Sequence, residues 1–278
     1  MVKGFFCEKT DEVVQFEECL ECARSRLNRK LDCPFDEAVI AGMVANIKNK
    51  TAISVTMIAG CHRAAFIQRH HDTWIYPSGM YWAFRGQIAH KVMEEAALHT
   101  DAVIETRFEK EWDGILVEGT PDLIVPSQKV LKDYKTTVNI PSYLNKDRLV
   151  LAYENHRVQV NLYAWLVPYE IEELEVIYMS MEETRICPVE KWAESSTKKT
   201  YQTVDRYMEE NLVPLFEAFE SETMPPYARN WACDEYCGVS DICFRELKKE
   251  LTAARRVVPL KKKGKKDGKS DSVKTANG

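Results

Sequence analysis

A chain of 278 residues, 45% hydrophobic and 29% charged, has the size of one large folded domain with room for a small appendage. No apolar run is long enough to span a bilayer, and the opening MVKGFFCEKT lacks the layout of a signal peptide, so no membrane partner and an intracellular location are expected. The net charge of −5 is uneven: nine basic and two acidic residues from Arg255 onward give a +7 tail and leave −12 on the rest.

In chain order, residues 1–33 read as a small cysteine-rich module with a strand-like GFFC, a β-like EVVQF and a turn-like CLEC. Its cysteines, Cys7, Cys19, Cys22 and Cys33, have the spacing of a zinc ribbon or knuckle. A segment this short cannot build an adequate core, so a structural Zn²⁺ on all four is expected. Pro34 precedes a helical DEAVIAGMVANIK, and helices follow over about 54–70 and 80–99. Arg63, Arg69 and Arg85 on these helices are candidates for phosphate contact, with solvated surface as the plainer reading. Short β-runs come next (AVIETRFEKEW, GILVEGTPDLIVP, KVLKDYKTT), broken by Gly and Pro. A helix over HRVQVNLYAWLV, a strand ELEVIYMSM and an amphipathic helix near 199–220 lead to CDEYCGVSDIC and the basic tail. The expected fold is α/β with a central mixed sheet flanked by helices. Its parts are the module 1–33, a domain 34–253 closed by the cysteine segment, and a disordered tail 254–278.

The most informative stretch is GTPDLIVPSQKVLKDYKTT. Asp122 opens one apolar β-run and Asp133 closes the next, with Lys135 on the same strand face as Asp133. If the runs form a hairpin, two carboxylates and an ammonium meet at one sheet edge, where they can hold a hard divalent cation and position a water. An acid-x-lysine pair alone is a weak signal, since Glu246-x-Lys248 and Asp267-x-Lys269 also occur; an exposed ion pair is the plain alternative.

Three further features accompany the pair: Gly86-x-x-x-His90 upstream, Gln159-x-x-x-Tyr163 downstream, and their order along the chain. With them the sequence resembles the PD-(D/E)XK nuclease superfamily in its RecB-like branch, over roughly residues 54–181. Asp133 stands where many relatives carry Glu. The resemblance implies a restriction-endonuclease-like core and a Mg²⁺- or Mn²⁺-dependent DNA nuclease. It implies metal binding by His90, Asp122, Asp133 and the backbone carbonyl of Tyr134, water or charge handling by Lys135, and support or substrate contact by Gln159 and Tyr163.

One group of these nucleases, similar to the CRISPR-associated RecB-like exonucleases and AddB-type nuclease domains, carries an iron–sulfur centre. It uses one cysteine before the histidine motif and three after the Q-x-x-x-Y helix. Cys61 and the set Cys233, Cys237 and Cys243 stand in those places, which implies a [4Fe–4S] cluster; Zn²⁺ suits four thiolates equally by ligand count. Cys187 stands alone. The resemblance further implies an exonuclease on single-stranded DNA ends, cytoplasmic or nucleoid-associated, with a helicase or integration complex as partner. There is no G-x-x-x-x-G-K-[ST] motif to drive unwinding and no dinucleotide-binding glycine fingerprint. A non-catalytic DNA-binding or assembly subunit on the same fold is the alternative.

Overall fold

The computed structural model describes residues 2–45, 47, 52–96, 101–137, 140, 152–180, 182–196, 202–228, 233 and 237–257. The basic run from 258 to 278, expected to be disordered, lies outside the described residues. The chain begins with β1 (Val2–Phe6), β2 (Val13–Gln15), α1 (Phe16–Arg24), α2 (Leu27–Lys30) and α3 (Glu37–Ala45). CLEC, expected as a turn, is helical in α1. Glu17 and Glu18 favour its first turn, and the Glu18 carboxylate accepts the Gln15 N–H at 2.7 Å.

Then come β3 (Ile53–Ser54), α4 (Val55–Ala59), α5 (His62–His70), β4 (Thr73–Ile75) and α6 (Pro77–Ala96). The helix expected over 54–70 is thus two helices. Gly60 and Cys61 are both extended, and a side chain at Gly60 would meet the Thr56 carbonyl at 2.8 Å. The β-runs become β5 (Val103–Ile104), β6 (Phe108–Trp112), β7 (Ile115–Gly119), β8 (Leu123–Val125) and β9 (Val130–Thr136). They are followed by α7 (Glu154–Leu166), β10 (Glu173–Met179), β11 (Thr184–Val189), α8 (Val204–Glu220) and α9 (Ser240–Val257). Helix α9 continues through residues 254–257, where the tail was expected to begin.

The central sheet has the order β11-β10-β9-β8-β5; β9 and β10 run parallel and its other pairs are antiparallel. β8 and β9 form the hairpin that the acidic stretch required, with Leu123 opposite Lys132. A second sheet, β3-β7-β6, packs α7 between itself and the first, and the main core is built from Val117, Leu131, Val160, Leu162, Val176 and Leu212. Gly119 makes that packing possible: a Cβ there would sit 2.7 Å from Leu166 and 2.8 Å from Tyr163.

The third sheet, β2-β1-β4, joins the N-terminal segment to the rest through a parallel β1–β4 pair. A separate small core of Phe5, Phe35, Ile40 and Met43 packs on Ile75, Met80 and Phe84, so its packing runs on past residue 33 into α3 and α6. At the other end, Ile67, Val239 and Cys243 bury α9 against α5.

Candidate active site and metal centre

The strand β9 alternates as its sequence demands, and Asp133 is 1% exposed while Lys135 is half-buried on the same face. Lys135 Nζ lies 2.7 Å from Asp133 Oδ2. This is a charge contact without hydrogen-bond alignment: among the described residues neither Asp133 oxygen finds a well-placed donor. Burying a carboxylate is costly unless a cation stands beside it; the Lys135 ammonium is one, and the Asp133 oxygens keep lone pairs for another.

Asp122, immediately before β8, accepts the Tyr134 N–H on Oδ2 at 2.6 Å, which locks the start of one hairpin strand to the end of the other. Burial, and then the Asp133 carboxylate, push its pKa up to about 7. Burial works to lower the Lys135 pKa, yet Asp133 and Asp122 hold it above the ordinary lysine value. His90 comes from α6. Gly86, one turn earlier, lies against the end of β9, where a Cβ would be 3.1 Å from Thr136 Oγ1.

The His90 ring faces acceptors on both sides. Nδ1 is 3.2 Å from Glu105 Oε1 and 3.6 Å from Asp122 Oδ1, and Nε2 is 3.0 Å from the Tyr134 carbonyl. The Glu105 contact, against burial and with Asp122, raises the histidine pKa. With acceptors on both sides of the ring, a bound cation would take the place of one ring proton. His90, Glu105 and Asp122 bring three ligand atoms within 4.8 Å of one another. With Tyr134 they line a cavity of about 20 Å³, room for a single water or ion.

Glu105 is the residue that sequence reasoning missed. It sits at the end of the two-residue strand β5 with a left-handed φ of 43°, and its N–H bonds the Asp122 carbonyl at 3.2 Å. Holding a non-glycine residue there costs about 1–3 kcal/mol, a strain often found where a side chain must be aimed. Only the positive φ marks it, and no spacing in the sequence does.

Gln159 and Tyr163 are buried on α7, with Gln159 Nε2 donating to Tyr163 Oη at 3.0 Å. Burial first, then the Asp133 charge, push the Tyr163 hydroxyl up to about 12, so it stays protonated beside the acids. Next to them, His156 Nδ1 meets Tyr178 Oη at 2.7 Å, and burial followed by the Lys135 charge brings its pKa down to about 3.

Cys61 stands just before α5 near Cys233, Cys237 and Cys243: burial first, then Cys61, Cys233 and Cys243, push the Cys237 thiol up. The Arg63 guanidinium donates to the Pro225 carbonyl at 2.9 Å and to Glu250 at 2.8 Å, with Cys243 beside it. Arg63, read from sequence as a candidate phosphate contact, is 2% exposed and ties α5 to α9 instead. Arg69 lies over the Phe219 ring at 4.5 Å. Cys187 is fully buried in β11.

Carboxylates and a lysine on a mixed sheet, with helices on its flanks, define an α/β protein of the restriction-endonuclease-like class. Residues 80–244, more than half of the chain, match the model of the PD-(D/E)XK nuclease superfamily, and the chain belongs to that superfamily. In the crystal structure of SSO0001, 93% of that chain and 74% of this one align at 20% identity and a TM-score of 0.52, a likeness of fold. A protein of Eubacterium rectale provisionally described as an exonuclease aligns over 76% of its length and 70% of this chain, at 11% identity and a TM-score of 0.33. No curated protein matches the sequence. Among the described residues, no helix is long and apolar enough to cross a membrane.

Proposed function

We propose that the protein is a RecB-like, Mg²⁺- or Mn²⁺-dependent deoxyribonuclease that removes nucleotides from single-stranded DNA ends. The observation that carries this reading is the buried Asp133 carboxylate, lacking aligned hydrogen bonds, beside Lys135 and Asp122. The donor set is one of hard oxygens with a single imidazole, which suits a divalent cation that shares a phosphate oxygen of its substrate. In this reading His90, Asp122, Asp133 and the Tyr134 carbonyl hold the ion, and Glu105 joins them beside His90. When bound, the ion supplies Lewis-acid polarisation of the phosphodiester and a lowered pKa for the attacking water. Lys135, held cationic by the two acids, orients that water or meets charge developing on the phosphate. Tyr163, kept neutral, and Gln159 fix the face of α7 that overlies Asp133.

In the same reading Cys61, Cys233, Cys237 and Cys243 carry a [4Fe–4S] cluster that fastens α9 to α5 and stabilises the fold. The proximity of the four thiols to one another supports it, with the Arg63 cation beside Cys243. The test is cleavage of end-labelled linear and circular single-stranded DNA with Mg²⁺ or Mn²⁺, together with iron, sulfide and zinc analysis of anaerobically purified protein. Loss of linear substrate alone, with iron and sulfide present, agrees with the proposal. Cutting of circles, or a protein that only binds DNA, overturns the exonuclease reading. Zinc without iron overturns the cluster.

A further inference from the structure

The N-terminal segment brings four cysteines to one place by three separate devices. Cys7 sits at the base of the β1–β2 hairpin, where its N–H bonds the Glu12 carbonyl at 2.8 Å and its carbonyl accepts the Asp11 N–H at 3.0 Å. Cys19 and Cys22, three apart on α1, share one helix face. Cys33 returns to them after α2, its N–H bonding the Asn28 carbonyl at 2.8 Å. Three non-glycine residues with left-handed φ, Asp11, Arg26 and Asp32, make these reversals.

All four thiols line one cavity of about 180 Å³. Asn28, itself 7% exposed, leaves its Oδ1 without a partner at this cavity. Among the described residues no three of these sulfurs lie within 4.8 Å of one another. Tetrahedral Zn–S bonds of about 2.3 Å would need the sulfurs about 3.8 Å apart, so a bound zinc would draw them closer together.

That hairpin also grips the helix bearing His90. Glu8, next to Cys7, accepts the Ser78 N–H at 2.6 Å, capping the first turn of α6 at the positive end of its dipole. Tyr76 Oη donates to Asp11 at 3.1 Å, and Gly42 of α3 lies so close to Phe84 of α6 that a Cβ would be 2.6 Å from the ring. We propose that Cys7, Cys19, Cys22 and Cys33 form a structural Zn²⁺ site that holds the Glu8 hairpin on the start of α6, and so positions His90. The effect on His90 rests on the divalent-ion site proposed above; the zinc site and the grip on α6 do not.

The test uses the full-length protein, with zinc and iron counted per chain and α6 followed by amide hydrogen exchange. Cys22→Ser is expected to lose one zinc per chain and no iron; unchanged zinc, or loss of iron instead, overturns the site. If that variant does not fold, wild-type protein depleted by a chelator serves: exchange in the first turn of α6 should rise as zinc leaves, and constant exchange overturns the coupling. Glu8→Ala should keep its zinc, exchange the first turn of α6 about fivefold faster or more, and bind Mn²⁺ more weakly. Unchanged α6 exchange in Glu8→Ala sinks the clamp. Should the wild type bind no Mn²⁺ at all, the nuclease reading fails while zinc count and α6 exchange still decide this one.

Discussion

His90 Nε2 lies 3.0 Å from the carbonyl oxygen of Tyr134, while Nδ1 of the same ring faces Glu105 and Asp122. One imidazole thus connects the helix α6, the edge strand β5 and the acidic hairpin.

Asp133→Asn is expected to lower metal-dependent cleavage by more than about 100-fold, because it removes one of the two buried carboxylates beside Lys135. Its thermal midpoint should stay close to wild type, since relief of the repulsion with Asp122 offsets the lost charge partner of Lys135. Cleavage rates and a thermal melt on the same sample check both halves.

Glu105→Gln is expected to weaken Mn²⁺ binding by about 10- to 100-fold, measured by calorimetry. The pH profile separates its role from simple packing. His90 and Asp122 both have raised pKa values, and each must lose its proton to bind a cation, so wild-type affinity should climb as pH rises through about 7. Removing the Glu105 anion lowers the histidine pKa, so the histidine part of the climb moves to lower pH.

His156 sets an acid sensitivity. Its folded pKa is about 3, against about 6.5 for an unfolded histidine, so the unfolded chain takes up the proton first. Its contribution to stability is complete above pH 6.5 and is lost as pH falls towards 3, at up to about 1.4 kcal/mol per pH unit. Asp122 pulls the opposite way, since its raised pKa favours the folded state in acid. The comparison of wild type with His156→Gln by urea unfolding isolates the histidine: the variant should be the flatter of the two over that range.

Arg63→Ala should destabilise the protein by about 2 kcal/mol or more and free α9 to proteolysis, because the buried guanidinium serves Pro225, Glu250 and Cys243 together. Arg63→Lys should rescue little, as an ammonium cannot reproduce the fork. Limited proteolysis within residues 240–257 reads the effect.

The sequence by itself determined the local parts of this protein. Two-residue alternation in KVLKDYKTT put Asp133 and Lys135 on one strand face, and 3.6-residue periodicity put Gln159 and Tyr163 on one helix face. Apolar runs broken at Gly and Pro marked the hairpin that carries Asp122 to Tyr134. Periodicity misled where a single residue interrupts it, as at Gly60, and composition misled at CLEC, where the acidic first turn of α1 outweighs a turn-like look. Only the tertiary structure decided the partners that lie far apart in the chain. Glu105 reaches His90 because β5 pairs with β8 at the sheet edge, Glu8 reaches Ser78 because β1 runs beside β4, and Arg63 reaches Glu250 because α9 folds back on α5. No spacing encodes such contacts. They arise when whole elements bury their apolar faces together, and that burial, not the local sequence, fixes which charged side chains meet.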